Sequence, residues 1–489
     1  MKQYRFPKLR FSDLLLISSL LFLLSQSGMA QTSWSLQKCI DYALMNNITI
    51  KSTELNTQLA NQRVTQSYAA FLPNVNGSAS HYYDFGRTID PFTNTFTTNR
   101  VMSDNFSVTT SVTLFAGFQL QNSLKQSKLD YLSSTYDLKK IANDISLNVV
   151  SDYLQVLFSM ENVGVANHSL ELIKKQQDNT KKLVDAGSLP RGSLLDINAQ
   201  VANNELALIN AQNNLDLSYL SLKQLLDLDS VKDFQIEKPK LTATPFAITA
   251  NEVGNIYATA EKNQPEVISS DLKLRSSETG LAIARGARFP RLSLSGSYGT
   301  GYSDQREQLK SYTTTIIPNP VIGYVSDSVG TPVRSYLPQA IGNPVYEKTP
   351  FKEQLTDNLN KTVGFNLSFP FFNNWNTKTN ISRAKIAVLT AKYNNQQVRL
   401  SLKKSIEQAY YDASAAYKKY NATTTSVEAL TEAFKYAQQK FDVGLITSYD
   451  FLAAKNNLDK SQSDLIQTKY DYIFKTKILD FYQGKTLTF

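Results

Sequence analysis

Few side chains in this 489-residue chain could carry chemistry. It holds two histidines, His81 and His168, and one cysteine, Cys39. So sparse a set argues against a His/Cys metal site and against an intramolecular disulfide. The lone Cys39 reads as a small buried residue. There is no phosphate-binding glycine loop, no His-centred constellation and no Cys nucleophile, and the Asp/Glu pairs fall at spacings expected of solvated helix faces. The sequence therefore suggests no enzyme, no cofactor and no metal. Two short stretches stand out instead. One is Gly187-Ser188-Leu189-Pro190-Arg191-Gly192, followed by Ser193 and Asp196. The other is Gly444-Leu445-Ile446, followed by Asp450. Small and apolar residues grouped this way fit turn chemistry and helix capping. They equally fit a surface on which a partner's hairpin packs.

The elements that position these stretches repeat. A seven-residue apolar ladder runs Leu194, Val201, Leu208, Leu215, Leu222, and a second runs Phe451, Leu458, Leu465, Tyr472, Leu479. Each rung of the second lies 257 positions after one of the first, 451 minus 194. The same offset carries Gly187 to Gly444 and Tyr153 to Tyr410. A constant offset over such a span marks a duplicated helical hairpin, and the seven-residue period predicts left-handed supercoiling against a partner helix. From Phe118 to Asp185 there is no Pro, which predicts one helix about 100 Å long at 1.5 Å per residue. The break at Gly187–Gly192 ends it, and Ser193 is expected to cap the returning helix.

A second offset, 217, carries Asn46 to Asn263 and Pro73 to Pro290. It relates a helix expected over Trp34–Tyr68 to one over Asn251–Arg288. Residues 31–250 thus form a first repeat: helix, strands 74–84 and 105–115, hairpin 117–228, connector. Residues 251–489 form a second: helix, strands 291–300 and 362–371, an irregular loop 301–361, hairpin 376–483. The offsets differ by forty, 257 minus 217, and the loop absorbs the difference.

Residues 1–30 read as a cleavable export signal. Lys2, Arg5, Lys8 and Arg10 precede an apolar run from Leu14 to Leu24, and Gly28-Met29-Ala30 offers small residues for cleavage after Ala30. Cys39 comes too late for lipidation. Without the signal the net charge falls from +9 to +6, through loss of those four bases and Asp13. That value is mild, and no Lys/Arg block suggests nucleic acid. No later apolar run reaches the ~18 residues of a membrane-spanning helix.

The strands carry the fold argument. Phe106, Val108, Thr110, Val112 and Leu114 alternate with Ser107, Thr109, Ser111 and Thr113. Val363, Phe365, Leu367 and Phe369 alternate with Gly364, Asn366 and Ser368. Large apolar groups on one face with small polar groups on the other fit a membrane barrel wall. Four strands of a soluble sandwich would show the same alternation, but a sandwich has no use for such hairpins. Four strands cannot close a barrel, and an open sheet in lipid leaves backbone groups unpaired. The chain is thus expected to oligomerise, each copy adding four strands.

Several segments resemble the TolC-type outer-membrane efflux family. They are the opening from Trp34 to Asn47, Phe71-Leu72-Pro73, the junction Leu114-Phe115-Ala116-Gly117 and the two hairpin turns. The resemblance covers essentially the whole mature chain. It implies an α+β membrane protein, a homotrimer with a twelve-stranded β-barrel in outer-membrane lipid and a periplasmic coiled-coil α-helical barrel. It also implies docking to a periplasmic adaptor and to an inner-membrane RND-type pump or ABC exporter. In that family the second turn is followed, six positions after its Gly, by an acid facing the lumen at the periplasmic entrance, here Asp450. A ring of three would favour cations. Solvation in a first helical turn, favoured by the dipole, explains an Asp there as well. The family can add an Asp three positions later, where this chain has Ala453. At the equivalent place in the first turn Ser193 stands for an acid, with Asp196 close by. A passive porin and a non-channel coiled-coil surface protein are the alternatives.

Overall fold

The computed structural model describes residues 33–98, 100–228, 234–239, 245–247, 249, 252–326 and 328–487. Residues 1–30, read from the sequence as an export signal cleaved after Ala30, lie outside these. The chain divides into two compact units, which cut across the sequence repeats. One gathers Met1–Asn61, Lys128–Ser276 and Val388–Phe489; the other gathers Gln62–Ser127 and Ser277–Ala387.

The duplication governs the boundaries of eight helices, four in each half. Helices α1 (Leu36–Asn46) and α2 (Ile48–Ala69) recur as α5 (Val253–Asn263) and α6 (Pro265–Gly286), each end displaced by 217. Helices α3 (Gln119–Asp185) and α4 (Arg191–Leu225) recur as α8 (Asn376–Asp442) and α9 (Ser448–Tyr482), each end displaced by 257. The single helices expected over Trp34–Tyr68 and Asn251–Arg288 are each broken once, at Asn47 and Gln264. Both break residues are buried and extended or nearly so (ψ 126° and 127°). Asn47 makes the break useful: its amide donates to the Leu225 carbonyl at 3.0 Å and its side-chain oxygen accepts from the Thr49 N–H at 3.0 Å.

In the unit of long helices, one core joins α1, α3, α4 and α9 through Cys39, Ile40, Val149, Tyr153, Leu222 and Ile473. The Tyr153 hydroxyl donates to the Glu237 carbonyl at 2.7 Å, fixing the connector. Cys39 is fully buried, and burial pushes its thiol up to about 12. It packs as a small apolar side chain.

The other unit holds a four-stranded antiparallel sheet in the order β1 (Asn74–Asp84), β2 (Val101–Ala116), β3 (Arg291–Ser303), β6 (Asn360–Ser368). Its register sets Ser107 opposite Gly299 and Val108 opposite Tyr298, so odd-numbered residues of β2 and β3 share the hydroxyl face over most of their length. A bulge at Leu114 shifts the register near the helix-side end. At that end Gly117, with φ +61°, lies so close to Gly286 that a Cβ on either would overlap the other's carbonyl. The segment 301–361 is not the irregular loop that its prolines and glycines suggest. Strand β4 (Glu307–Ile317) pairs with β5 (Gln339–Lys348), a shorter ribbon joins Val321–Tyr324 to Pro332–Arg334, and α7 (Phe351–Asp357) follows. Thr-rich and β-branched runs such as Thr313-Thr314-Thr315-Ile316-Ile317 favour that ribbon.

Candidate functional site: two hairpin turns and a two-faced sheet

Both hairpins turn by the same backbone device. Gly187 (φ +76°) places the Ser188 N–H on the Leu183 carbonyl at 2.8 Å and its own N–H on Val184 at 3.0 Å. Gly444 (φ +73°) repeats this with Leu445 to Lys440 at 2.8 Å and its own N–H to Phe441 at 2.9 Å. This is the paired bonding of a glycine-terminated helix, which only a residue tolerant of positive φ completes without strain.

The side chains then diverge. Pro190, not Ser193, caps α4, with no side-chain hydrogen bond. Its ring fixes φ at −71°, the extended geometry a cap needs. Ser193 sits a turn inside the helix and is buried. At α9 the cap is Thr447. Its hydroxyl accepts from the Asp450 N–H at 3.2 Å and donates to the Asp450 carboxylate at 2.8 Å, and that carboxylate also accepts the Thr447 N–H at 3.4 Å. Asp450 is thus half of a capping box, and it remains exposed.

Apolar contact joins the two turns. Ile173, Ile197 and Val201 of the first hairpin pack with Phe434, Phe441, Phe451 and Leu458 of the second. The Phe441 and Phe451 rings stack at 4.9 Å. Leu189 and Ile446, read from sequence as outward-facing, are half-buried against this cluster. Leu445 is exposed at 74 %, and Gly187, Pro190, Arg191 and Gly444 are exposed with it. The Ser448 hydroxyl donates to the Asp196 carboxylate at 2.9 Å, so Asp196 links the hairpins.

A polar link in the same unit escaped the sequence reading. Lys455 is 2 % exposed, and its ammonium donates to Asp459 and to the Ser169 hydroxyl, each at 2.5 Å. The Ser169 oxygen lies 2.8 Å from Asn204. Helices α3, α4 and α9 meet there, beside a cavity of about 810 Å³ partly lined by Asp459, Ser169 and Asn204. A Lys and an Asp four apart on a helix signal only a solvated pair. What could have raised suspicion is that 257 positions earlier the repeat has Asn198 and Ala202.

The sheet is the other functional surface. On its apolar face Val75, Val108, Tyr298, Val363, Phe365 and Leu367 are all exposed. The hydroxyl face of Asn76, Ser78, Thr109, Ser297 and Thr362 is bare as well. A soluble sandwich would cover the first face. Beside the helix-side strand ends lie exposed Phe118, Phe289, Phe371, Phe372 and Trp375. Bare apolar wall, polar opposite face and aromatic fringe together are the chemistry of a wall between lipid and water. The outer strands β1 and β6 each keep an unpaired edge.

Such a sheet, joined to duplicated helical hairpins, is the architecture of an outer-membrane channel. A model of the outer membrane efflux protein family matches residues 39–227 and 256–480, and the chain belongs to that family. Toxin and drug export protein A of Aggregatibacter actinomycetemcomitans is 20% identical, over 90% of this chain and 85% of its own length. Outer membrane protein TolC of Vibrio cholerae is 20% identical, over 94% and 92%. Among solved structures, the CmeC outer membrane channel of Campylobacter jejuni superposes with a TM-score of 0.69 at 18% identity, covering 92% of this chain and 85% of that one. Outer membrane protein VceC of Vibrio cholerae gives 0.71 at 14%, covering 92% and 96%. The chain is an outer-membrane efflux channel of a tripartite efflux or export system, which works with adaptor proteins and inner-membrane pumps.

Proposed function

We propose that three copies of this chain form one export duct, a twelve-stranded barrel in outer-membrane lipid and a helical tunnel in the periplasm. The observation that carries this reading is the four-stranded sheet, bare on both faces over its middle and helix-side residues, with two open edges. In lipid those edges must pair, and copies of the same chain supply matching edges. Apolar residues left uncovered on single helices support the same closure: Leu206, Ile209, Leu217 and Leu220 on α4, and Ile386, Leu389, Tyr393 and Leu400 on α8.

The hairpin turns are the periplasmic end. Exposed Leu445, with Gly187, Pro190, Arg191 and Gly444 around it, is where a periplasmic adaptor docks, and an RND-type pump or an ABC exporter supplies substrate and energy. Asp450 contributes one carboxylate per copy to a ring at the entrance. Its capping role does not conflict with this, because its carboxylate is exposed while bonded to Thr447. The chain reaches the membrane by export, with cleavage of the signal after Ala30.

Two measurements test the reading. Photo-crosslinking from position 445 in cells should capture a periplasmic adaptor; capture of none removes the docking role. In planar bilayers, Asp450→Asn keeps a capping oxygen and deletes the charge. Cation selectivity should fall, and unchanged selectivity removes the ring.

A further inference from the structure

The two segments that join strands at the sheet end away from the helices go to opposite faces. Helix α7 lies on the apolar face: Phe351 packs on Tyr302 at 5.1 Å and on Phe106 at 6.5 Å, both even-numbered residues. The shorter segment, 85–98, lies on the hydroxyl face. Gly301 is odd-numbered and pairs with Asn105. The Phe92 ring occupies the space that a Cβ on Gly301 would need.

Asp90 holds this arrangement. It is fully buried. One carboxylate oxygen accepts the N–H groups of Phe92 and Thr93, both at 2.8 Å, and the other accepts the Ser303 hydroxyl. Its own N–H reaches the Thr95 carbonyl at 3.0 Å. A buried carboxylate without a cation is tolerable only when its lone pairs are satisfied in this way. Ser303 is itself fully buried, and Gln354 of α7 receives its N–H and donates to its carbonyl, both at 2.9 Å. The turn carrying Phe92 is therefore bolted to the strand end.

We propose that Phe92, positioned by Asp90 and admitted by Gly301, narrows the outer mouth of the channel and sets the size of what passes there. This rests on the reading that the hydroxyl face lines the lumen. Eight strands enclose just enough room for side chains and sixteen to eighteen leave an open pore, so in a ring of about twelve strands three inward aromatic rings take a large share of the opening. Phe92 is then a specificity-determining residue at the exit, separate from the entrance acids.

The test reads access from outside, independently of the periplasmic entrance. Thr109→Cys places a thiol on the hydroxyl face, Val108→Cys places one on the apolar face as a control, and buried Cys39 stays silent. Intact cells receive a small membrane-impermeant maleimide or one carrying a bulky polymer. The small reagent should label Thr109→Cys and spare Val108→Cys. The bulky reagent should label Thr109→Cys at least about ten-fold faster once Phe92→Ala is added, since the constriction alone limits it. Phe92→Leu, which shortens the side chain while keeping it apolar, should give an intermediate rate, and heat-resistant migration of each variant confirms assembly. Bulky labelling that is equally fast with Phe92 intact, or unchanged by either substitution, overturns the narrowing and leaves the channel reading standing. Failure of the small reagent to reach position 109 overturns the lumen assignment and this proposal together.

Discussion

The two hairpins are the same backbone written twice with different chemistry. Their helices have equal lengths and their turns the same glycine geometry at an offset of 257. Yet α4 begins on a bare proline, while α9 begins on a capping box and carries a buried Lys455 paired with a part-exposed Asp459. On α4 Leu206, Ile209, Leu217 and Leu220 are exposed; at the same offset on α9 stand Ser463, Ile466, Phe474 and Lys477, all at least half-buried. Duplication preserved what a wall of equal staves needs. Side chains then moved the bare apolar stripe between helices, from the returning helix α4 in the first hairpin to the outgoing helix α8 in the second, where Ile386, Leu389, Tyr393 and Leu400 are exposed.

The largest test of that difference is Lys455→Met. Breaking a buried pair leaves an uncompensated carboxylate, at a cost of about 3–5 kcal/mol when fully buried. Asp459 is 25 % exposed, so about 2–3 kcal/mol is expected here. Asn198→Met, at the matching place in the first hairpin, should change stability by less than about 0.5 kcal/mol, as surface substitutions do. Thermal melts in detergent followed by circular dichroism measure both, and equal effects would erase the asymmetry.

Next in size is the cap. Thr447→Ala should cost about 1 kcal/mol. It should speed hydrogen exchange through the first turn of α9, whereas Pro190→Ala should leave the first turn of α4 close to its present exchange rate. A smaller loss, about 0.5–1 kcal/mol, is expected for Ser448→Ala, which strands one Asp196 oxygen at an exposed site. A double-mutant cycle with Asp196→Ala checks that the two act as one link.

The effect of Cys39 is nil at neutral pH and confined to alkaline pH. With its native thiol pushed up to about 12 and the ordinary value near 9, the unfolded chain ionises first as pH rises. Its contribution is complete below about 9 and is withdrawn between there and about 12. Thiol reagents at pH 8 should leave the folded protein unlabelled and label it after denaturation. Rapid native labelling would contradict the burial.

What the sequence made legible was periodic. Constant offsets exposed the duplication, and strict alternation exposed the strands, because both signals sum over many residues. Boundaries suffered where one residue decides. Ser193 looks like a cap by type, but Pro190 three positions earlier already sets the extended φ and ψ. Asn47 and Gln264 break helices through single backbone turns that leave the apolar period almost intact. The 301–361 ribbon was hidden by its prolines and glycines, which sit at its turns and at bare positions such as Gly342 and Pro344. Long-range polar links left no local trace: Lys455 meets Ser169 across 286 residues and Asp90 meets Ser303 across 213.

The most direct test of the account is whether β1 of one copy closes on β6 of the next. Asn76→Cys on β1 and Thr362→Cys on β6 place thiols on the hydroxyl face of the two open edges, and the native thiol is buried. Treatment of outer membranes with a short bismaleimide should yield covalent dimers and trimers and nothing larger. Monomer alone, or a ladder running past three copies, would contradict the closed three-chain barrel.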